Sequence, residues 1–162
     1  MADTIELLPA GLVHAQLLAG MHKICFADAW DAQAISALLS MPGAEGVIAV
    51  DGGSLAPALA APGPAGFVLW RAAAGEAEIL TIAVLPPWRR AGVGGRLLDR
   101  ALAASAADGA HAMFLEAAAD NTAALALYEK RGFIRVGLRK AYYGEKDAVV
   151  MRRDLETIPP SE

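Results

Sequence analysis

Apolar positions in this chain change their rhythm several times, between the period of two that a half-buried strand imposes and the period of three to four that a helix imposes. Ile5-Glu6-Leu7 reads as a short first strand. Leu17, Leu18, Met21 and Cys25 share one face of a helix predicted over Leu12 to Phe26, which makes Cys25 a small core residue. Asp31 is placed to cap a second helix that carries Ile35, Leu38 and Leu39 and is ended by Pro42-Gly43. Val47-Ile48-Ala49-Val50 reads as a strand, and Phe67 to Trp70 and Glu76 to Val84 form a hairpin around Ala73-Ala74-Gly75. Val93, Leu97, Leu98, Ala101 and Leu102 then mark a helix ending near Ala107, and Asp108-Gly109 turns the chain into the strand Ala112 to Ala117. A last helix runs from Thr122 to Arg131, capped by Asp120 or Asn121 and closed by Gly132, with Leu125 and Tyr128 one turn apart. Phe133 to Leu138 and Ala148 to Arg152 finish as strands. The order strand, helix, strand predicts an α/β protein.

Length and charge narrow the picture. The 162 residues fit one domain, expected over 1–156, with a flexible tail at 157–162. A net charge of −4 argues against direct nucleic-acid binding, which requires a basic surface. The start carries Asp3 and Glu6 where a signal peptide would carry cations, and the first basic residue in the chain is Lys23. Together with a single cysteine, which permits neither an internal disulfide nor a cysteine metal cluster, this predicts a cytoplasmic protein without a bound metal. Gly52 to Trp70 is uncharged, yet Pro57, Pro62, Pro64 and four glycines would break a membrane span. The stretch is expected to be a loop, longer than a tight hairpin needs, followed by a strand. A monomer or weak oligomer is expected.

Chemistry enters at Arg89-Arg90-Ala91-Gly92-Val93-Gly94, which lies between the apolar strand Ile79 to Val84 and the helix opened by Val93. Backbone N–H groups at a helix start have no acceptor within the helix, and glycines leave no side chain in the way, so such a turn suits a phosphate. A P-loop would require Gly-Lys-Ser/Thr and a dinucleotide turn Gly-x-Gly-x-x-Gly; neither is present. Arg-x-x-Gly-x-Gly remains, alongside the plainer reading of a helix-capping turn with two solvated arginines.

That loop resembles the pyrophosphate loop of the GCN5-related N-acetyltransferases, and four further passages are similar to the family's ribosomal-protein alanine N-acetyltransferases of the RimI type. They are Cys25-Phe26-Ala27-Asp28-Ala29-Trp30, Leu115 to Asn121, Ala124 to Phe133, and Arg139-Lys140-Ala141-Tyr142-Tyr143 with Asp147-Ala148. The resemblance covers most of the chain. It implies a mostly antiparallel mixed sheet splayed between its fourth and fifth strands, with acetyl-CoA as co-substrate in the gap. It implies further that Ile82-Ala83-Val84 lies beside the pantetheine arm, and that Arg90, Ala91, Gly92, Val93, Gly94 and Gly95 wrap the pyrophosphate with Arg89 adding charge.

Acetyl transfer to an amine asks for a base to free the attacking lone pair, a donor for the oxyanion and a proton for the departing thiolate. In the resemblance Glu116 takes the place of the base and Tyr128 that of the acid, while Asn121 contacts the cofactor. Read without it, Glu116 is a solvated strand-end glutamate, Tyr128 a core aromatic and Asn121 a helix cap. Trp30, Tyr142, Tyr143 and Asp147 are the candidates for the acceptor channel, with Glu145 beside them. Each has an ordinary alternative as a packing or surface residue. Ala29 replaces the family's proline and Ala118 its arginine, so the chain departs from the pattern on the acceptor side. The implied acceptor is the N-terminal amine of a ribosomal protein, alanine first. A small amine as acceptor and a non-catalytic acyl-CoA-binding module are the alternatives.

Overall fold

A computed structural model describes residues 4–52, 63–143 and 146–156, without the side chains of Tyr142 and Tyr143. Most of the long loop, Glu145 and the tail expected at 157–162 lie outside the described residues. Seven strands, β1 (Ile5–Ala10), β2 (Ala44–Asp51), β3 (Gly63–Ala73), β4 (Glu76–Val84), β5 (Ala112–Ala118), β6 (Ile134–Tyr143) and β7 (Lys146–Asp154), form one mixed sheet in the order β1-β2-β3-β4-β5-β7-β6. Four α-helices accompany them: α1 (Ala15–Cys25), α2 (Ala32–Leu39), α3 (Val93–Ala107) and α4 (Thr122–Lys130). The chain groups into two compact units, one of Met1–Arg71 with Leu80–Ala101 and one of Ala72–Ile79 with Leu102–Glu162.

In the first unit β1, β2 and β3 pair antiparallel, from Ile5↔Asp51 to Ala10↔Gly46 and from Ala44↔Arg71 to Asp51↔Gly63. Residues 63–70 of β3 are buried on both faces, which is why their sequence lacks alternation. Pro64, expected in the loop, belongs to β3. A register shift between Ala49 and Val50 sets it opposite Val50, and such an irregularity accommodates a residue that has no N–H for the ladder. Gly66 marks a close backbone approach, since a Cβ there would stand 2.6 Å from the Ala83 carbonyl oxygen. Leu18, Met21 and Ile35 carry the buried faces of α1 and α2. The predicted helix over Leu12 to Phe26 is split. Leu12–His14 forms a 3-10 turn in which the Gly11 amide donates to His14 Nδ1, and the α-helix begins only at Ala15. Asp31 caps α2 as expected, its carboxylate accepting from the Ala34 amide at 2.8 Å.

In the second unit β5 is the junction between parallel and antiparallel pairing. It runs parallel to β4 from Glu76↔Ala112 to Glu78↔Phe114, and antiparallel to β7 from Ala112↔Asp154 to Ala118↔Ala148. The turn before β4 needs left-handed backbone at Ala74 (φ 53°) and Gly75 (φ 82°), and glycine tolerates that conformation without penalty. β6 extends to Tyr143, well past the expected Leu138, because its ladder with β7 continues to Tyr143↔Lys146. β7 outgrows its expected bounds at both ends for the same reason.

Candidate active site

The first unit contains the glycine turn. β4 ends with Ile82 and Val84 half-buried on one face and Ala83 buried on the other. A 3-10 turn, Pro86–Trp88, follows, and its buried indole is tied down: Trp88 Nε1 donates to Asp51 Oδ2 at 2.8 Å, while the Thr4 hydroxyl donates to Asp51 Oδ1. These two bonds, Thr4's first, hold the Asp51 carboxyl below its ordinary range against the opposing push of burial. Beyond Trp88 the chain takes left-handed backbone twice, at Arg90 (φ 64°) and Gly92 (φ 81°), before α3 closes its first turn with the Arg96 amide on the Gly92 carbonyl at 3.1 Å. Nothing lies within 4 Å of where a Gly92 Cβ would stand, so its absence leaves the approach to the first amides of α3 open.

Arg89 and Arg90 are exposed beside that turn. Arg89 also reaches back, its Nε donating to the Val84 carbonyl at 2.9 Å, and the same oxygen lies 3.6 Å from the Cys25 thiol. Burial pushes that thiol upward, with Arg89's hydrogen bond and charge pulling the other way. An open turn of amides flanked by two guanidinium groups fits a diphosphate, so Arg89 to Gly95 suit the cofactor residues expected there. Trp30 lies in the same unit. Its amide donates to His22 Nδ1 at 3.1 Å and its ring stacks on the imidazole at 4.8 Å. Phe26 stacks on the same imidazole at 4.2 Å, and burial lowers the pKa of His22. Trp30 therefore has the packing role considered for it, and it keeps a half-exposed ring.

The second unit holds the acid–base candidates. Glu116 is half-buried on β5, and its Oε1 accepts from Arg139 Nε at 2.8 Å. Tyr128 is buried on α4, with Phe133 edge-on at 6.1 Å. Asn121 is the cap of that helix, Oδ1 accepting from the Ala124 amide at 3.2 Å, which orients the first turn of α4. Asp147 also has local work: Oδ1 accepts from the Ala141 amide at 2.9 Å where Ala141 adopts φ 54°, and its carbonyl accepts from the Ala119 amide at 2.8 Å. Tyr142 and Tyr143 lie on β6, next to that bond in sequence. The partners Asp51 and Arg139 carried no signal in local periodicity, because each acts through a contact distant in sequence. Among the described residues no three His, Cys, Asp or Glu side chains are grouped to hold a metal, and no helix is long and apolar enough to cross a membrane.

Comparison with known proteins bears on both units. The profile of the acetyltransferase (GNAT) family matches residues 17–133. The N-alpha-acetyltransferase RimI of Mycobacterium tuberculosis is 42% identical over 130 residues, covering 78% of this chain and 77% of that one. An uncharacterised Mycobacterium leprae protein, ML0378, is 46% identical over 83 residues, half of this chain but 22% of that protein. The [ribosomal protein bS18]-alanine N-acetyltransferase of Escherichia coli is 36% identical over 91 residues, 54% of this chain and 62% of that enzyme, so these two matches span less than two thirds of the relatives' length. The crystal structure of the E. coli ribosomal-protein-S18-alanine N-acetyltransferase superposes with a TM-score of 0.84 at 22% identity, covering 98% of each chain.

Proposed function

The chain belongs to the acetyltransferase (GNAT) family, and we propose that it transfers acetyl from acetyl-CoA to the N-terminal α-amine of a ribosomal protein, alanine first. The observation that carries this reading is the glycine turn after β4, left-handed at Arg90 and Gly92, open above Gly92 and flanked by Arg89. It has the shape and charge for the diphosphate of coenzyme A. Bound there, acetyl-CoA supplies the acetyl group as an activated thioester. One relative named as an N-alpha-acetyltransferase and another named for alanine acetylation of ribosomal protein bS18 support the choice of acceptor.

The chain's own groups divide the work. Amides 93–95 and the two arginines hold the diphosphate, and the half-buried face of Ile82 and Val84 lies along the pantetheine. Glu116 takes a proton from the attacking amine, a modest task because an α-amino group has a pKa near about 8. Tyr128 returns a proton to the departing sulfur. Burial raises the pKa of the Cys25 thiol, and the proposed route forms no acetyl-enzyme on it. Transfer is direct, from thioester to amine.

A thiol-release assay with a peptide beginning Ala-Arg, run beside polyamines, amino acids and a peptide with only an internal lysine, tests the assignment. Turnover is expected on the N-terminal alanine, and Glu116→Gln should cut kcat/KM about a hundredfold at neutral pH with recovery as the pH rises. Turnover on small amines or lysine alone overturns the acceptor. Coenzyme A binding with no turnover on any amine overturns the enzyme reading in favour of a binding module.

A further inference from the structure

Glu116 and Arg139 meet at 2.8 Å although β7 lies between the strands that carry them. The register explains how. Glu116, Val150 and Gly137 form one row across β5, β7 and β6, and Ala118, Ala148 and Arg139 form the next but one. Residues opposite one another share a face and successive rows alternate between faces, so Glu116 and Arg139 lie on the same side of the sheet, two rows apart.

An undisturbed β6 would not put them there. From Arg135↔Met151 a regular antiparallel ladder would continue through Val136↔Val150 to Leu138↔Ala148, and Arg139 would face the other way. The observed register shifts between Arg135 and Gly137, leaving Val136 as the extra residue, and that one-residue bulge turns Arg139 to the side of Glu116. Two small residues lie on that face beside the contact: Ala148 on β7, opposite Arg139 and fully buried, and Gly137 on β6, which has no side chain. As a structural bridge the contact is weak, since an ion pair with an Arg side chain 58% exposed is largely screened by solvent. Its value lies in direction.

We propose that Arg139, aimed by the bulge at Val136, is the positioning residue for the general base: its guanidinium holds Oε1 of Glu116, and Oε2 takes the proton of the attacking amine. The same charge repels an ammonium and so favours the neutral, nucleophilic amine in the site. The inference rests on the role given to Glu116 above, and it adds a residue to which neither periodicity nor the family comparison assigns a part.

The test is a cycle of Arg139→Gln, Arg139→Lys, Glu116→Gln and the Arg139→Gln/Glu116→Gln double variant, with kcat and KM for the alanine peptide across pH and coenzyme A affinity by calorimetry. Arg139→Gln is expected to lower kcat/KM at least about tenfold with coenzyme A affinity unchanged, Arg139→Lys to recover part of the loss, and Arg139→Gln to add nothing once Glu116 is Gln. A loss of equal size in both backgrounds, or activity within twofold of wild type, overturns the positioning role while Glu116 keeps its own. A silent Glu116→Gln overturns both. Should no peptide be turned over, crystal structures of the wild type and Arg139→Gln decide: a Glu116 carboxylate that keeps one position in both sinks the proposal, and one ordered only in the wild type supports it.

Discussion

The loop after β4 and the strand row around Glu116 prepare for a ligand by opposite means. The loop uses main chain: amides at a helix start, two left-handed residues and a glycine whose missing side chain leaves the approach clear. The row around Glu116 uses side chains whose direction is decided by strand register, and a single extra residue in β6 determines which of them meet. Main-chain sites are fixed by local conformation, so they tolerate changes of side chain and fail when the backbone is forced apart. Side-chain sites fail when one group is removed, with the backbone intact.

Three measurements sharpen or break that contrast. The largest effect is expected at Gly66, where Val would press against the Ala83 carbonyl oxygen on β4. Gly66→Val should lower stability by about 3 kcal/mol in urea denaturation, because backbone cannot yield as a flexible side chain does. A loss under about 0.5 kcal/mol would show that the approach is not tight. The side-chain region predicts a smaller and different response. Tyr128→Phe should reduce kcat about tenfold and leave coenzyme A affinity alone, and a matching loss of affinity would assign Tyr128 to packing of the cofactor site.

The smallest effect lies at His22, whose pKa burial depresses below its ordinary 6.5. Below pH 6.5 the unfolded chain takes up a proton that the folded imidazole refuses, so the stabilisation present above that pH declines as the medium becomes more acid. His22→Phe should flatten that decline between pH 7 and 5.5 in urea denaturation. Identical slopes in the two proteins would mean that the stacked imidazole protonates freely in the fold.

What the sequence disclosed follows the same division. The caps at Asp31 and Asn121 and the glycine turn at Gly92 are short-range devices, complete within four residues, and each was readable where it stood. The α/β order followed from changes of period, and the mixed sheet from the resemblance to the acetyltransferase family. Pro64 in β3 and the length of β6 were missed, since both depend on what the partner strand offers opposite. Arg139 could be seen as part of a familiar passage but not as a partner of Glu116. Counting along β6 points it to the wrong face unless the extra residue at Val136 is known, and that residue is defined only by pairing with β7. Asp51 was silent for a similar reason, its partners Thr4 and Trp88 lying 47 and 37 positions away.

The outermost strand carries one more lesson. Ile134, Val136 and Leu138 on β6 are all about half exposed or more, at 63%, 49% and 53%, on the rim of the sheet. A straight rim of that greasiness would invite another molecule to zip on and start a fibre. The dislocation at Val136 interrupts the run of regularly spaced peptide groups such a newcomer needs, and Arg135, Arg139 and Lys140 would confront its identical cations. A kink that orients an arginine inward thereby also discourages polymerisation at the border.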